Sequence, residues 1–226
     1  MGDLNKKMIW IKEMMTKFYG IEKKVAVIRH AERPDFKSLK NESELGITNE
    51  GCAAAIQLGE EIGFSQNTSN FQVFSWGSRR VTETAKAVAI GLAKTKRNVV
   101  GPSPIVFPSP IRNCKEYEKA FASGRWNEYV ENWLSGQNPQ AAFLPVETYA
   151  KATYQSLLDE KYCASGKVSI IITHDLHIMP LIKYAFPSFR SWIKYLDGIV
   201  LKDDGDKILI GFDGESTSIK RNALKL

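Results

Sequence analysis

Residues Val25–Asp35 read VAVIRHAERPD, and this stretch decides the fold. Val25, Ala26, Val27 and Ile28 follow one another with no polar residue between them. A run without alternation belongs to a strand covered on both faces, the kind found inside a parallel sheet. The run stops abruptly at Arg29-His30, and Glu32, Arg33 and Pro34 follow. A buried arginine is costly unless an anion answers it, so this strand carries a demand for negative charge to its carboxyl end.

Working outward, KVSIIITHD (Lys167–Asp175) repeats the same grammar: a lysine, β-branched residues, then a histidine. Between the two, LGITNEGCAAAIQLGEEIG (residues 45–63) predicts a helix capped by Thr48 or Asn49 and stopped by Gly63. FQVFSW (residues 71–76) predicts a second strand, and SRRVTETAKAVAIGLA a helix opening at or just after Ser78. The Pro-rich GPSPIVFPSP leaves room for one edge strand. Helices are expected around RWNEYVENWL and ETYAKATYQSLLDEKY, and a short one in LHIMPLIKYAF with Pro180 in its first turn. YLDGIVLKDDGDKILIGFD predicts a hairpin turning at Asp-Asp-Gly-Asp. Alternating strands and helices predict an α/β sandwich with a mainly parallel central sheet. Its active crevice lies at the carboxyl ends of the strands, where His30 and His174 both fall.

The 226-residue length fits one domain spanning 1–226, with residues 111–162 as a helical cap insertion. Residues 4–19 set Met8, Ile11, Met15 and Phe18 at helical spacing, predicting an N-terminal amphipathic helix within 1–20 that packs on its own domain. The net charge of +6 is scattered among acidic residues, and no nucleic-acid-binding motif accompanies it. Such an excess suits a small anionic substrate. Cys52, Cys114 and Cys163 make neither a disulfide framework nor a zinc spacing. No metal or other cofactor is indicated. No signal-peptide layout or bilayer-length apolar run is present, so no membrane partner is expected and the cytoplasm is the default. Oligomeric state is not legible.

Two histidines among several arginines suggest phosphoryl transfer. Forked guanidiniums bind phosphate oxygens bidentately, and a neutral imidazole attacks phosphorus in line. Neighbouring arginines disfavour the imidazolium and keep the ring available.

Four elements resemble the histidine phosphatase superfamily, and they stand in its order over roughly residues 24–185. Arg29-His30-Ala31 with Arg33 is similar to its Arg-His-Gly signature. LGITNEG looks like its Leu-Thr-x-x-Gly element. SRRVTETA resembles the second arginine motif and selects Arg80, with Thr84 and Ala85 at the right spacing. ITHD resembles the closing motif of the acid-phosphatase branch. The resemblance implies a phosphoglycerate mutase-like fold and metal-independent phosphomonoester hydrolysis through a phosphohistidine. His30 would be the nucleophile. Arg29, Arg80, His174 and Arg33 would hold the phosphoryl oxygens, and Asp175 would be the general acid and later the base for water, its pKa raised by burial and the bound phosphate. Activity should then favour mildly acidic to neutral pH.

Three departures accompany the resemblance. Ala31 replaces the usual glycine, Pro34 comes one residue early, and the mutase-like branch takes its acid from mid-chain, where Glu116 and Glu118 are the alternatives. His177 is expected at the pocket mouth or packed behind it, and Arg79 in solvent. A phosphoglycerate-type mutase and a non-catalytic phospho-ligand binder are the rival readings.

Overall fold

The computed structural model describes residues 23–35, 39–68, 70–106, 108–137, 142–189 and 192–225. The helix expected over residues 4–19 lies outside the described residues. Seven strands form one sheet: β1 (Lys23–Arg29), β2 (Asn70–Ser75), β3 (Asn98–Pro104), β4 (Lys167–Thr173), β5 (Gly198–Asp203), β6 (Lys207–Phe212) and β7 (Glu215–Lys220), in the order β3-β2-β4-β1-β5-β6-β7. The neighbours β3, β2, β4 and β1 pair in parallel, whereas β5, β6 and β7 are antiparallel. β1 and β4 lie side by side, with Arg29 opposite Thr173. This register puts His30 and His174 at one edge of the sheet.

Six helices cover the sheet among the described residues: α1 (Asn49–Ser65), α2 (Arg79–Lys94), α3 (Cys114–Ala122), α4 (Trp126–Leu134), α5 (Val146–Leu157) and α6 (Asp175–Ala185). The alternation of strand side chains separates two cores. Ala26, Ile28, Val73, Ile170 and Ile172 pack with α1 and α2, through residues such as Leu58 and Val88. Val25, Val27, Phe74 and Ile171 face the other way, onto α4, α5 and α6. Two helical layers around one sheet make the expected three-layer sandwich.

Several local expectations need correction. Gly63 does not stop α1, which continues to Ser65. A Cβ at Gly63 would meet Thr95 Oγ1 at 2.3 Å, so this glycine serves the approach to the end of α2 rather than a helix stop. Pro180 sits in the interior of α6, not in its first turn. α3 and β7 are not among the elements expected above. Within residues 111–162, α3 and α4 border the crevice, while α5 packs against α6 as part of the sandwich layer. Among the described residues, no helix is long and apolar enough to cross a membrane.

Candidate active site

His30 follows the last residue of β1 and is held from both sides by backbone. Its N–H donates to Thr173 O at 2.9 Å, and its carbonyl accepts from Leu196 N–H at 3.4 Å. The ring is 2% exposed. Nδ1 lies 2.8 Å from Ala31 O. A carbonyl only accepts, so Nδ1 carries the proton and Nε2 presents its lone pair. Arg80 Nε donates to that Nε2 at 3.2 Å.

The neighbouring elements fix this geometry in ways that account for their spacing. Thr48 caps α1 by accepting from Gly51 N–H at 2.9 Å, and its own N–H donates to Glu32 O at 2.9 Å. A Cβ at Gly51 would meet Glu32 O at 2.6 Å, so a glycine is required where the His30 loop crosses the start of α1. Thr84, one turn after Arg80, accepts from Ala31 N–H at 3.0 Å and donates to Arg80 O at 2.7 Å. The Arg80–Thr84 interval therefore ties the guanidinium-bearing helix to the His30 loop. Ala31 is fully buried in the core beside α1 and α2, so its methyl fills space there.

His174 caps α6 in extended conformation directly after β4. Its ring meets that of His30 edge-on, with centroids 5.3 Å apart. Arg80 Nη2 donates to its Nδ1 at 3.3 Å, which leaves Nε2–H for Ser78 Oγ at 3.2 Å. One guanidinium thus touches both histidines. Arg80 also donates through Nη1 to Glu42 O at 2.6 Å and through Nη2 to the Glu42 carboxylate.

Arg29 is nine-tenths buried. It donates from Nη1 to Ile193 O at 2.5 Å and pairs through Nη2 with Asp175 Oδ2 at 2.7 Å. Its carbon Cζ lies 4.4 Å from the Tyr195 ring centroid. Its Nε is buried with no hydrogen-bond partner among the described residues. Asp175 accepts further from Leu176 N–H at 2.8 Å and Trp192 Nε1–H at 3.0 Å. Arg33 is half-buried on the same cavity and donates to Pro34 O at 2.8 Å. Arg79 is exposed and pairs with Glu83 at 2.7 Å, as expected of a solvated helix start.

All six residues (Arg29, His30, Arg33, Arg80, His174 and Asp175) line one cavity of about 550 Å³. Glu116 and Glu118 do not line it; Glu116 pairs with Lys119 at 2.7 Å, and Glu118 is exposed. The cavity's second carboxylate is instead Glu42. Sequence reasoning overlooked Glu42, Ser78, Trp192 and Tyr195. Only Ser78 left a usable signal, as the residue that opens the helix bearing Arg80. His177 is buried but contributes to the cavity lining, with its Nδ1 2.6 Å from the Tyr149 hydroxyl and its ring edge-on to Trp76 at 3.8 Å. Among the described residues, no three His, Cys, Asp or Glu side chains converge as a metal-holding group.

Burial, then the charges of Arg29 and Arg80, lowers the His30 pKa to about 3 despite the opposing bond to Ala31 O. Burial and Arg80 likewise lower His174 to about 3, and burial lowers His177 well below its ordinary 6.5. In the free site, the rise that burial would give Asp175 is outweighed. Burial alone would push it up, but the Arg29 guanidinium and the Trp192 hydrogen bond hold it below the ordinary 3.8. These shifts fix how stability follows pH. Between about 6.5 and 3 the unfolded chain binds protons that the folded histidines refuse, so stability is lost as pH falls through that window. Asp175 adds a further loss only below 3.8, as it protonates at its lowered value. Thermal unfolding should therefore show Tm falling steadily from pH 6.5 to pH 4 and level just above 6.5; a flat Tm over the lower range contradicts the assignment.

No family profile and no curated protein matches the chain by sequence. Solved structures do match. YhfR of Bacillus stearothermophilus is 14% identical with a TM-score of 0.55, covering 89% of this chain and 99% of its own. Rv3214 of Mycobacterium tuberculosis is 12% identical with a TM-score of 0.50, covering 87% and 95%. A phosphoglycerate mutase of Bacillus anthracis is 15% identical with a TM-score of 0.47, covering 89% and 94%. The chain shares its three-layer α/β sandwich with YhfR and Rv3214.

Proposed function

We propose that this chain hydrolyses phosphate monoesters through a phosphohistidine on His30, without a metal. The observation that carries the reading is the position of Arg80. Its Nε lies on the lone pair of His30 Nε2 and its Nη2 on His174 Nδ1, inside a cavity with three guanidiniums and two carboxylates. Neutral histidines add no charge, so the cavity is a cationic site into which a dianion is drawn. The phosphoryl oxygens take donors of Arg80 and Arg33, with the Arg29 guanidinium beside them on the cavity.

In the first step the entering phosphoryl group takes the Arg80 Nε–H from His30 Nε2, whose freed lone pair attacks phosphorus as the bond to the ester oxygen breaks. The departing electron pair stays on that oxygen, which takes a proton from Asp175. The Nδ1–H bond to Ala31 O stabilises the phosphorylated, positively charged ring. In the second step water gives a proton to Asp175 and attacks phosphorus. The P–N bond breaks, its electrons return to Nε2, and inorganic phosphate leaves. Asp175 must be protonated for the first step, although Arg29 keeps it ionised in the free site. The entering dianion competes for Arg29 and raises the cost of a second negative charge beside it.

Incubation with p-nitrophenyl phosphate and excess chelator tests the reading. Chelator-resistant release of phosphate is the expected result; loss of turnover with chelator, or vanadate binding without turnover, contradicts it. Arg80→Ala should lower kcat/KM by on the order of tenfold to a hundredfold, about 1.5–3 kcal/mol for a charge-assisted hydrogen bond. Arg80→Lys should recover part of this at most, because an ammonium lacks the fork that reaches both histidines. Steady-state kinetics on both variants checks this.

A further inference from the structure

Beyond its charged groups the cavity is largely aromatic, and the aromatic wall begins at the cradle, where Trp76 meets His174 edge-on at 5.7 Å and Trp192 donates to Asp175. Tyr117 and Phe121 of α3, Trp126 of α4, Trp76 and Trp192 bring five aromatic side chains to one hollow, with Ile111 beside them. These rings are braced against one another. Tyr117 meets Trp126 edge-on at 5.2 Å, and Phe121 lies 5.6 Å from Trp126. Tyr117 and Trp126 both reach Phe143, at 6.2 and 6.1 Å, and Phe143 is 1% exposed and stacked on Trp133 at 4.3 Å. The wall is therefore anchored in the core, and its inner rings are already fixed before any ligand arrives. Phe121 and Trp126 nevertheless stay only half-buried.

We infer that the alcohol released from the phosphate is aromatic or fused-ring and apolar, a small molecule rather than a sugar or polyol. This rests on the phosphatase reading and specifies its substrate class. A polyol placed here would turn several hydroxyl groups toward ring faces that offer no hydrogen bond, and each hydroxyl loses water without replacement. Beyond Ser78, which already bonds His174, the neutral polar groups of the lining are few for its area: Ser43, Asn127, the Tyr117 hydroxyl and the Trp76 and Trp126 indole N–H groups. The Trp192 indole N–H, like Ser78, is committed, to Asp175. A flat apolar group meets ring faces and edges, which favour offset and edge-to-face contact, and it displaces water from surface that water solvates poorly. The cavity volume of about 550 Å³ lies in the range of about 300–1,000 Å³ typical of sites for such ligands.

The test compares esters of one leaving-group type, so that the bond broken stays the same. With 2-naphthylmethyl phosphate and glycerol 3-phosphate, both primary alkyl monoesters, kcat/KM and Kd are measured on the full chain. The naphthylmethyl ester is expected to be preferred by about tenfold to a hundredfold, the difference that a few kcal/mol of selective contact produces. Trp126→Leu and Phe121→Leu should each shrink that ratio several-fold, chiefly by raising KM for the naphthyl ester. Two conservative variants guard against one of them disturbing α3 or α4.

Equal constants for the two esters, or a preference for glycerol 3-phosphate, overturn the inference. So does a phosphotyrosyl peptide turned over faster than the naphthyl ester, which would place a protein partner over the cavity. Should neither ester turn over, the phosphatase reading fails. The Kd ratio then decides the aromatic preference independently.

Discussion

His30→Ala is expected to lower turnover of any phosphate monoester by on the order of 10⁴-fold or more, the scale seen when a covalent nucleophile is removed from a site acting as a unit. The size of the effect follows from the absence of a substitute in position. His174 is the other ring in the cradle, but its proton-bearing Nε2 faces the Ser78 hydroxyl, whereas His30 has its Nδ1–H on the backbone carbonyl of Ala31, the acceptor that stabilises a phosphorylated ring. Asp175 is engaged by Arg29, Trp192 and the backbone of Leu176. The substitution leaves Arg80 and Arg33 on the cavity, so vanadate should still bind. Activity within tenfold of the unaltered chain, with the same Tm, would assign the nucleophile elsewhere.

Asp175→Asn should separate substrates by leaving group. For an alkyl ester, whose oxygen must be protonated as it departs, the expected loss is on the order of 10²–10⁴-fold, the usual contribution of a positioned general acid. For p-nitrophenyl phosphate, whose anion leaves unaided, the loss in kcat/KM, which reports the phosphorylation step alone, should stay below about tenfold. The direction of the Asp175 shift adds a second signature. Arg29 and Trp192 hold the carboxyl low, so the proton it must donate becomes more available as pH falls, while His30 stays neutral down to about 3. The rate on an alkyl ester should therefore climb from pH 8 to pH 5. Substrate ionisation gives part of that slope, and the part lost in Asp175→Asn belongs to the carboxyl. Equal losses on both ester classes would point instead to Glu42, the other carboxylate on the cavity.

What the sequence revealed was whatever local pattern encodes. The uninterrupted apolar runs before Arg29-His30 and His174-Asp175 sufficed to put two histidines on one sheet edge, because a strand buried on both faces has few other readings. The Arg80–Thr84 and Thr48–Gly51 spacings were legible as motifs, although their cause is tertiary: each braces the loop after His30. Contacts with no local pattern stayed hidden. Glu42 comes from a short 3-10 turn, Leu39–Glu44, and reaches Arg80 only through folding. The sign of the Asp175 shift depended on Arg29 from a neighbouring strand and on Trp192, seventeen positions away. Sequence supplied the burial but not the partner that outweighs it. Glu116 and Glu118 illustrate the converse, since their place in the chain suggested the site and helix α3 presents Tyr117 to it instead.

The most direct test of a phosphorylated imidazole is to trap it. The full-length chain is mixed with a monoester for a few milliseconds and quenched in denaturant at alkaline pH, where phosphoramidates survive. It is then digested and mapped by mass spectrometry. The account predicts an acid-labile phosphoryl group on the peptide carrying His30, absent from His30→Ala and more abundant in Asp175→Asn with p-nitrophenyl phosphate. Phosphate on any other side chain, or turnover with no phosphorylated chain at any quench time in either the unaltered protein or Asp175→Asn, would contradict it.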